Sequence, residues 1–257
     1  MFRLLQRIWR PQPRTVSFGR TDTGRVRSQN EDSFSILEKR SLYLVADGMG
    51  GHNAGEVASR VAIERLIDYF SPSMVKELGG RQEAIRQHLI RAFHEVNEHV
   101  MTMAAAEQEH QGMGCTLVAG LLDRRTLHVC HVGDVRCYVA NRDRLRQITT
   151  DHSYAAFLAQ NQGGTVDPGL AGVMRNVVTR AVGFPFPEEP EYHRVSLQKG
   201  DRVLLCSDGL WSMIDDETIQ RVLRQAATPE RACEDFMRLA NDAGGRDNIT
   251  AVVIFQQ

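Results

Sequence analysis

The chain has 257 residues, is 42% hydrophobic and 25% charged, and sets Lys+Arg 31 against Asp+Glu 32 for a formal net charge of -1. That is ordinary globular composition with enough length for a substantial core, and the charge balance excludes the electrostatic footprint of a nucleic-acid binder. The five cysteines, Cys115, Cys130, Cys137, Cys206 and Cys233, are scattered with no C-x-x-C spacing, which speaks against a disulfide framework or a thiolate zinc site and for a reducing compartment.

Residues 1–14, MFRLLQRIWRPQPR, place Arg3, Arg7, Arg10 and Arg14 among Phe2, Leu4, Leu5, Ile8 and Trp9. The apolar run is too short and interrupted for a secretory signal, and no stretch of the chain is long and apolar enough to span a bilayer. The segment is expected to be a loose basic tail, with weak membrane or partner contact through residues 1–10 as the alternative. A single folded domain is expected over 15–257. SFSIL and LYLVAD read as strands flanking the turn EKRS. GEVASRVAIERLIDYF carries Val57, Ala58, Val61, Ala62, Leu66 and Phe70 at helical spacing. A longer helix is predicted from Gln82 to Ala106, with Ile85, Leu89, Phe93, Val96 and Val100 on one face.

CTLVAGLLD, TLHVCHVGD, RCYVA and RLRQIT follow, separated by short turns, and predict an antiparallel meander. The stretch from about 150 to 183 is rich in Gly, Asn, Gln and Pro, and long loops in compact domains tend to be functional. DRVLLCSDG is a strand. TPERACEDFMRLANDAGG is a helix with Thr228 as N-cap, Pro229 at its first position and Gly244 near its stop. NITAVVIF is the last strand. Elements in blocks, without regular βαβ alternation, predict an α+β fold of antiparallel sheets with helices packed outside them.

Acids recur at the ends of these strands. LYLVADGMGG puts Asp47-Gly48 after a buried run, VLLCSDG repeats this with Asp208-Gly209, and GGRDNITAVVI puts Asp247 before the last strand. CHVGDVR places Asp134 at an expected hairpin tip, and GRVRSQNEDSF pairs Glu31 with Asp32. Each alone is explicable as a turn residue or cap. Together they can converge on one edge of a sheet stack, where without cations they would repel and raise one another's pKa. An all-oxygen set suits Mg2+ or Mn2+ rather than zinc. Two such ions about 3.5–4 Å apart can lower the pKa of a shared water from about 15.7 towards 7 and stabilise in-line displacement at phosphorus. Arg27, close before Glu31, is the candidate for gripping a phosphate with its planar guanidinium. CHVGDVR also contains C-x5-R, Cys130 to Arg136, the spacing of a cysteine phosphatase. However, Cys130 falls in an alternating strand and no helix follows Arg136, as that chemistry requires.

In order and spacing, GRVRSQNED, VADGMGGHNAGE, GCTLVAGLL, HVGDVRCYV, VVTRAVG, LLCSDGLW and GGRDNITAVVI resemble the motifs of metal-dependent protein phosphatases, the protein phosphatase 2C-like family. The resemblance runs from about Thr15 to Phe255, and the DGMGGH form is similar to the bacterial branch. It implies a central sandwich of two antiparallel β-sheets flanked by pairs of α-helices, with two Mn2+ or Mg2+ ions at one end and a weaker third. It implies that Asp47 bridges both core ions with the Gly48 carbonyl on one of them, and that Asp208 and Asp247 complete the other. Glu31 and Asp32 act directly or through coordinated water, Asp134 with Asp208 holds the third ion, Arg27 binds phosphate, and Asn248 supports the site. Met49 stands where many eukaryotic members carry a histidine, which leaves protonation of the leaving group to coordinated water or to His52. Val135 follows Asp134 where the family often has serine. The 150–183 stretch falls where the family has its mobile flap.

The implied activity is hydrolysis of phosphoserine or phosphothreonine in phosphoprotein substrates by a water activated between two ions, opposing a serine/threonine kinase encoded nearby. The implied setting is a cytoplasmic monomer. A pseudophosphatase that binds phosphoproteins without turnover would have lost an acid or the arginine, and all are present. A phosphodiesterase or nuclease would need the basic–aromatic interleaving that the chain lacks.

Overall fold

Alternate residues of a strand point to opposite faces, so a strand covered on both faces reads as a continuous apolar run. That is the environment of the central strands in the structure, a computed structural model that describes residues 15–51, 54–161 and 177–257. The basic tail, His52 and the middle of the expected flap lie outside the described residues.

Ten strands are described: β1 (Thr15–Asp22), β2 (Asp32–Leu37), β3 (Leu42–Met49), β4 (Gly114–Asp123), β5 (Thr126–Val132), β6 (Arg136–Ala140), β7 (Leu145–Gln147), β8 (Glu191–Ser196), β9 (Arg202–Cys206) and β10 (Ile249–Gln256). They form two five-stranded antiparallel sheets, ordered β1-β10-β9-β6-β7 and β2-β3-β4-β5-β8. Between the sheets lie Tyr43, Val45, Val118, Val129, Val203, Leu205, Val252 and Ile254. The other face of β3, Leu42, Leu44 and Ala46, packs under α1 (Ala54–Tyr69) and α3 (Gln82–Ala106), whose Ala58, Ala62, Leu66, Leu89 and Phe93 meet it. On the far side, Leu204, Ala251 and Val253 pack under α6 (Asp216–Gln225) and α7 (Pro229–Asp242) through Ile219, Leu223 and Phe236. The layers therefore run helix, sheet, sheet, helix, as expected. Helix α3 has the predicted bounds, and the Thr228 hydroxyl caps α7 by accepting from the Arg231 amide at 3.2 Å.

Helices α2 (Pro72–Leu78), α4 (Tyr154–Asn161), α5 (Asp208–Trp211) and α6, and strands β1 and β8, are not separated out by pattern alone. One expectation is corrected. β4 to β7 do not form a single meander: β5 pairs with β4 and β8, whereas β6 pairs with β9 and β7 in the other sheet. Asp134 thus sits on a crossover between sheets rather than at a hairpin tip. Gly133 makes the crossover, with φ of 103° and no room for a side chain, since a Cβ there would lie 2.4 Å from Thr116 Cγ2. Val135, the departure from serine, is fully buried between the sheets.

Phe93 is fully buried in the α1–α3 layer. Phe93→Ala is expected to lower stability by about 3–5 kcal/mol, read as a fall in urea midpoint with an unchanged slope.

Candidate functional site

The topology delivers acids from both sheets to one end of the sandwich. In the β2–β3 register Asp32 lies directly opposite Asp47. In the other sheet, Asp208 follows β9 and Asp247 precedes β10, which are antiparallel neighbours with Cys206 opposite Ala251. Asp22 at the end of β1 faces Ile249 at the start of β10, so the loop carrying Arg27 and Glu31 leaves from the same end. The crossover carrying Asp134 joins them. Its backbone carbonyl accepts from Trp211 Nε1 at 3.0 Å, and Arg136 stacks 3.6 Å over the Trp211 ring while pairing with Asp151 at 2.6 Å.

Two hydroxyls join the sheets at this point. Ser207 Oγ and Thr250 Oγ1 both donate to Asp32 Oδ2, at 2.7 and 2.6 Å. Thr250 also contacts Thr21 Oγ1 at 2.7 Å, and Asn30 Nδ2 donates to that Thr21 oxygen at 2.8 Å. Asn248 closes the Arg27 loop over the strand ends. Its Oδ1 accepts from the Glu31 amide at 2.8 Å, and its Nδ2 donates to the carbonyls of Thr23 and Gln29 at 2.9 and 2.8 Å. Gly48 is packed so closely that a Cβ would stand 2.1 Å from the Gly55 carbonyl oxygen and 2.6 Å from that of Glu31. Ser207, Thr250, Thr21 and Asn30 were not singled out from the sequence. The available signal was a hydroxyl inside an apolar run, Ser207 in VLLCSDG and Thr250 in NITAVVI.

Crowding perturbs the acids in one direction. Burial pushes Asp32 up to about 8 against the hydroxyl hydrogen bonds that lower it, with the charges of Asp208 and Asp247 adding to the rise. Burial, then Asp208 and Asp151, raise Asp134 to about 7. Burial and Asp247 raise Asp208 to about 6 despite its hydrogen bond with Asp47. Asp47 is raised well above the carboxylate range by burial and by Asp32, Asp208, Asp134 and Asp247. Glu31 is raised by burial, with Arg27 opposing. The structure therefore brings Glu31, Asp32, Asp47, Asp134, Asp208 and Asp247 into one electrostatic cluster.

Arg27 does not stand free. Its Nη2 donates to Asp247 Oδ2 at 2.8 Å, with the side chain 48% exposed.

The donors fit a hard divalent cation. They are all oxygens, they are crowded like charges, and Asp32 Oδ1 and Asp208 Oδ1 are buried without a hydrogen-bond partner. Met49, at the end of β3, has no transferable proton. Cys130 is fully buried in β5 with its thiol pushed well up by burial, and Arg136 lies in the other sheet committed to Asp151. This pair cannot form a thiolate phosphate cradle.

A sequence profile described as protein phosphatase 2C matches residues 19–249. The serine/threonine phosphatase stp of Listeria innocua is 34% identical over 238 residues, covering 91% of this chain and 93% of that protein. The crystal structure of the Mycobacterium tuberculosis serine/threonine phosphatase PstP/Ppp superimposes with a TM-score of 0.83 at 35% identity, covering 95% of this chain and 99% of the other. A structure of the PstP catalytic domain in complex with two manganese ions superimposes at 0.81 with 35% identity, covering 94% and 97%.

Acids with folded pKa values raised to about 6, 7 and 8 bind more protons folded than unfolded near neutrality. Stability from this source is therefore lost as pH rises. His131, lowered to about 4 by burial, works oppositely below its ordinary value of 6.5 and sets the lower limit of the window. After chelation, the melting temperature is expected to rise as pH falls from about 8 to 7, and added Mn2+ is expected to remove that dependence. A flat profile in the chelated protein would contradict the crowding.

Proposed function

This chain belongs to the protein phosphatase 2C family and is a serine/threonine protein phosphatase, and on that premise we propose how its own residues divide the work. Asp47, with the Gly48 carbonyl, and Asp208 and Asp247 hold two Mn2+ or Mg2+ ions. Glu31 and Asp32 serve directly or through coordinated water, and Asp134 with Asp208 offers a weaker third position. When bound, such ions neutralise the crowded carboxylates, lower the pKa of water and draw charge from the phosphoryl group in an in-line displacement. The observation that carries this reading is the gathering of acids from both sheets at one end, with Asp32 Oδ1 and Asp208 Oδ1 lacking any other partner.

Arg27 then acts by exchange. Its guanidinium gives up Asp247 for the phosphate, one anionic partner for another, and holds two phosphate oxygens at once. Asn248 keeps the Arg27 loop in place through its three hydrogen bonds. Met49 leaves the proton for the departing alkoxide to water at the site or to His52. Residues 15–257 act as one catalytic domain, with 150–183 as a substrate-selecting flap and 1–14 as a basic tail. The substrates are phosphoproteins, and a serine/threonine kinase is the opposing enzyme in a signalling role. The setting is the cytoplasm and the working form a monomer. Five buried free cysteines support a reducing compartment, and among the described residues no helix is long and apolar enough to cross a membrane.

Turnover of p-nitrophenyl phosphate and of phosphoserine or phosphothreonine peptides is expected only with added Mn2+ or Mg2+, and is expected to vanish with EDTA. Asp208→Ala and Asp247→Ala are expected to cut turnover by about 100-fold or more while the circular dichroism spectrum stays native. A wild-type rate in either would refute the ligand assignment. Arg27→Ala is expected chiefly to raise KM, and an unchanged KM removes Arg27 from phosphate binding.

A further inference from the structure

Away from the acid cluster, a second set of donors converges on the outer strands of the same sheet. Among the described residues, His131, Glu191 and His193 form the one group of three metal-competent side chains whose donor atoms all lie within 4.8 Å of one another. Register explains the gathering. β5 and β8 are antiparallel with His131 opposite Glu191 and Val129 opposite His193. Cross-strand partners, and residues two apart on one strand, share a face of the sheet.

The hydrogen bonds define which nitrogens are available. His152 Nδ1 accepts from the Gly133 amide at 3.1 Å, so its proton is on Nε2, which donates to Glu191 Oε2 at 3.2 Å. His131 Nε2 faces the Thr150 carbonyl oxygen at 2.9 Å, an acceptor only, so the proton is there too. The same Nε2 lies 3.6 Å from Glu191 Oε2, so it is the His131 nitrogen that meets the group, and ligation would shift its proton to Nδ1, which is buried without a hydrogen-bond partner. His193 Nε2 also has no hydrogen-bond partner, although it lies 3.1 Å from Glu191 Oε1.

Burial holds His131 down to about 4, so it is neutral at physiological pH. Burial acts to raise Glu191, but the hydrogen bond from His152 and the nearby His193 and His131 imidazoles outweigh it and hold the carboxyl well below its usual range. Two imidazole nitrogens and a carboxylate match a borderline cation, unlike the hard all-oxygen set described above.

We propose that His131, Glu191 and His193 form a Zn2+ site distinct from the acid cluster, with His152 donating its Nε2 proton to the ligating carboxylate and so orienting it. Such outer hydrogen bonds commonly tune a metal ligand. Glu191 and His152 also line an open cavity of about 380 Å³ that includes Thr150, Ser153 and Glu188, which opens the carboxylate side of the group to solvent. His152 further ties this site to both sides of the α4 segment. Its carbonyl accepts from the Thr179 amide at 2.8 Å, its amide donates to the Gly133 carbonyl at 2.9 Å, and the adjacent Ser153 bridges to Val178. Occupancy would therefore brace the base of that segment next to Asp134.

The test uses the full chain, stripped by chelation, equilibrated with excess Mg2+ and then with micromolar Zn2+ or Co2+. Metal content and the visible Co2+ spectrum are read for the wild type, His193→Gln, Glu191→Gln and Asp208→Asn. The expected result is one equivalent of Zn2+, and an intense low-coordinate Co2+ band, present in the wild type and Asp208→Asn and lost in His193→Gln and Glu191→Gln. His193→Gln is expected to keep Mn2+-dependent p-nitrophenyl phosphate turnover, which shows that fold and acid cluster are intact. Equal zinc content in the wild type and both variants of the proposed site, or zinc lost only in Asp208→Asn, would overturn the assignment.

Discussion

The Asp32 carboxyl is the point on which the site's geometry depends. It belongs to β2 of one sheet and takes hydrogen bonds from Ser207 and Thr250 of the other, at 2.7 and 2.6 Å. Once Asp32 is ionised, the form that a cation favours, hydrogen bonds to it are worth about 1.5–3 kcal/mol each, and a buried acceptor that loses them bears its full desolvation cost. These bonds set the relative height of the two sheets at this end. Asp47, paired with Asp32 across β2–β3, is thereby held against Asp208 and Asp247 from β9 and β10. Fixing Oδ2 also leaves Oδ1 of Asp32 as the oxygen with no protein partner.

Such a site is intrinsically unfavourable as a piece of folded protein. Burial and mutual repulsion raise Asp32, Asp47, Asp134 and Asp208 together, which places the free-energy cost of the site in the ionised state that cation binding needs. The rest of the molecule offsets that cost. The inter-sheet layer is apolar from Tyr43 to Ile254, and each outer face is covered by a helix pair. Arg27 supplies the mobile part of the compensation, being half exposed on a loop that Asn248 fastens to the start of β10. A side chain held by one surface ion pair gains little from it and is readily recruited by another anion.

Much of the architecture was legible because burial leaves a periodic mark. LYLVAD and NITAVVIF are continuous apolar runs since both faces of β3 and β10 are covered, and α3 shows its stripe because one face meets β3. The candidate acids were legible because each breaks such a run at its end, as Asp47 and Asp208 do before glycine. The hydroxyls of Ser207 and Thr250 were not, since a small polar residue in a strand has no periodic signature until its partner is known. The crossover at Gly133-Asp134 was misread as a hairpin because sequence spacing reports turn length and not which sheet receives the next strand.

The order of motifs, the helix–sheet layering and the chemical nature of the candidate acids were thus determined by the linear chain alone, through local patterning and residue type. Tertiary structure alone decided that Asp32 faces Ser207 and Thr250, that Arg27 rests on Asp247, and that His131 meets Glu191 and His193 across β5–β8. Those contacts join residues far apart in sequence. Their partners are chosen by strand order and register, which no local window of residues encodes.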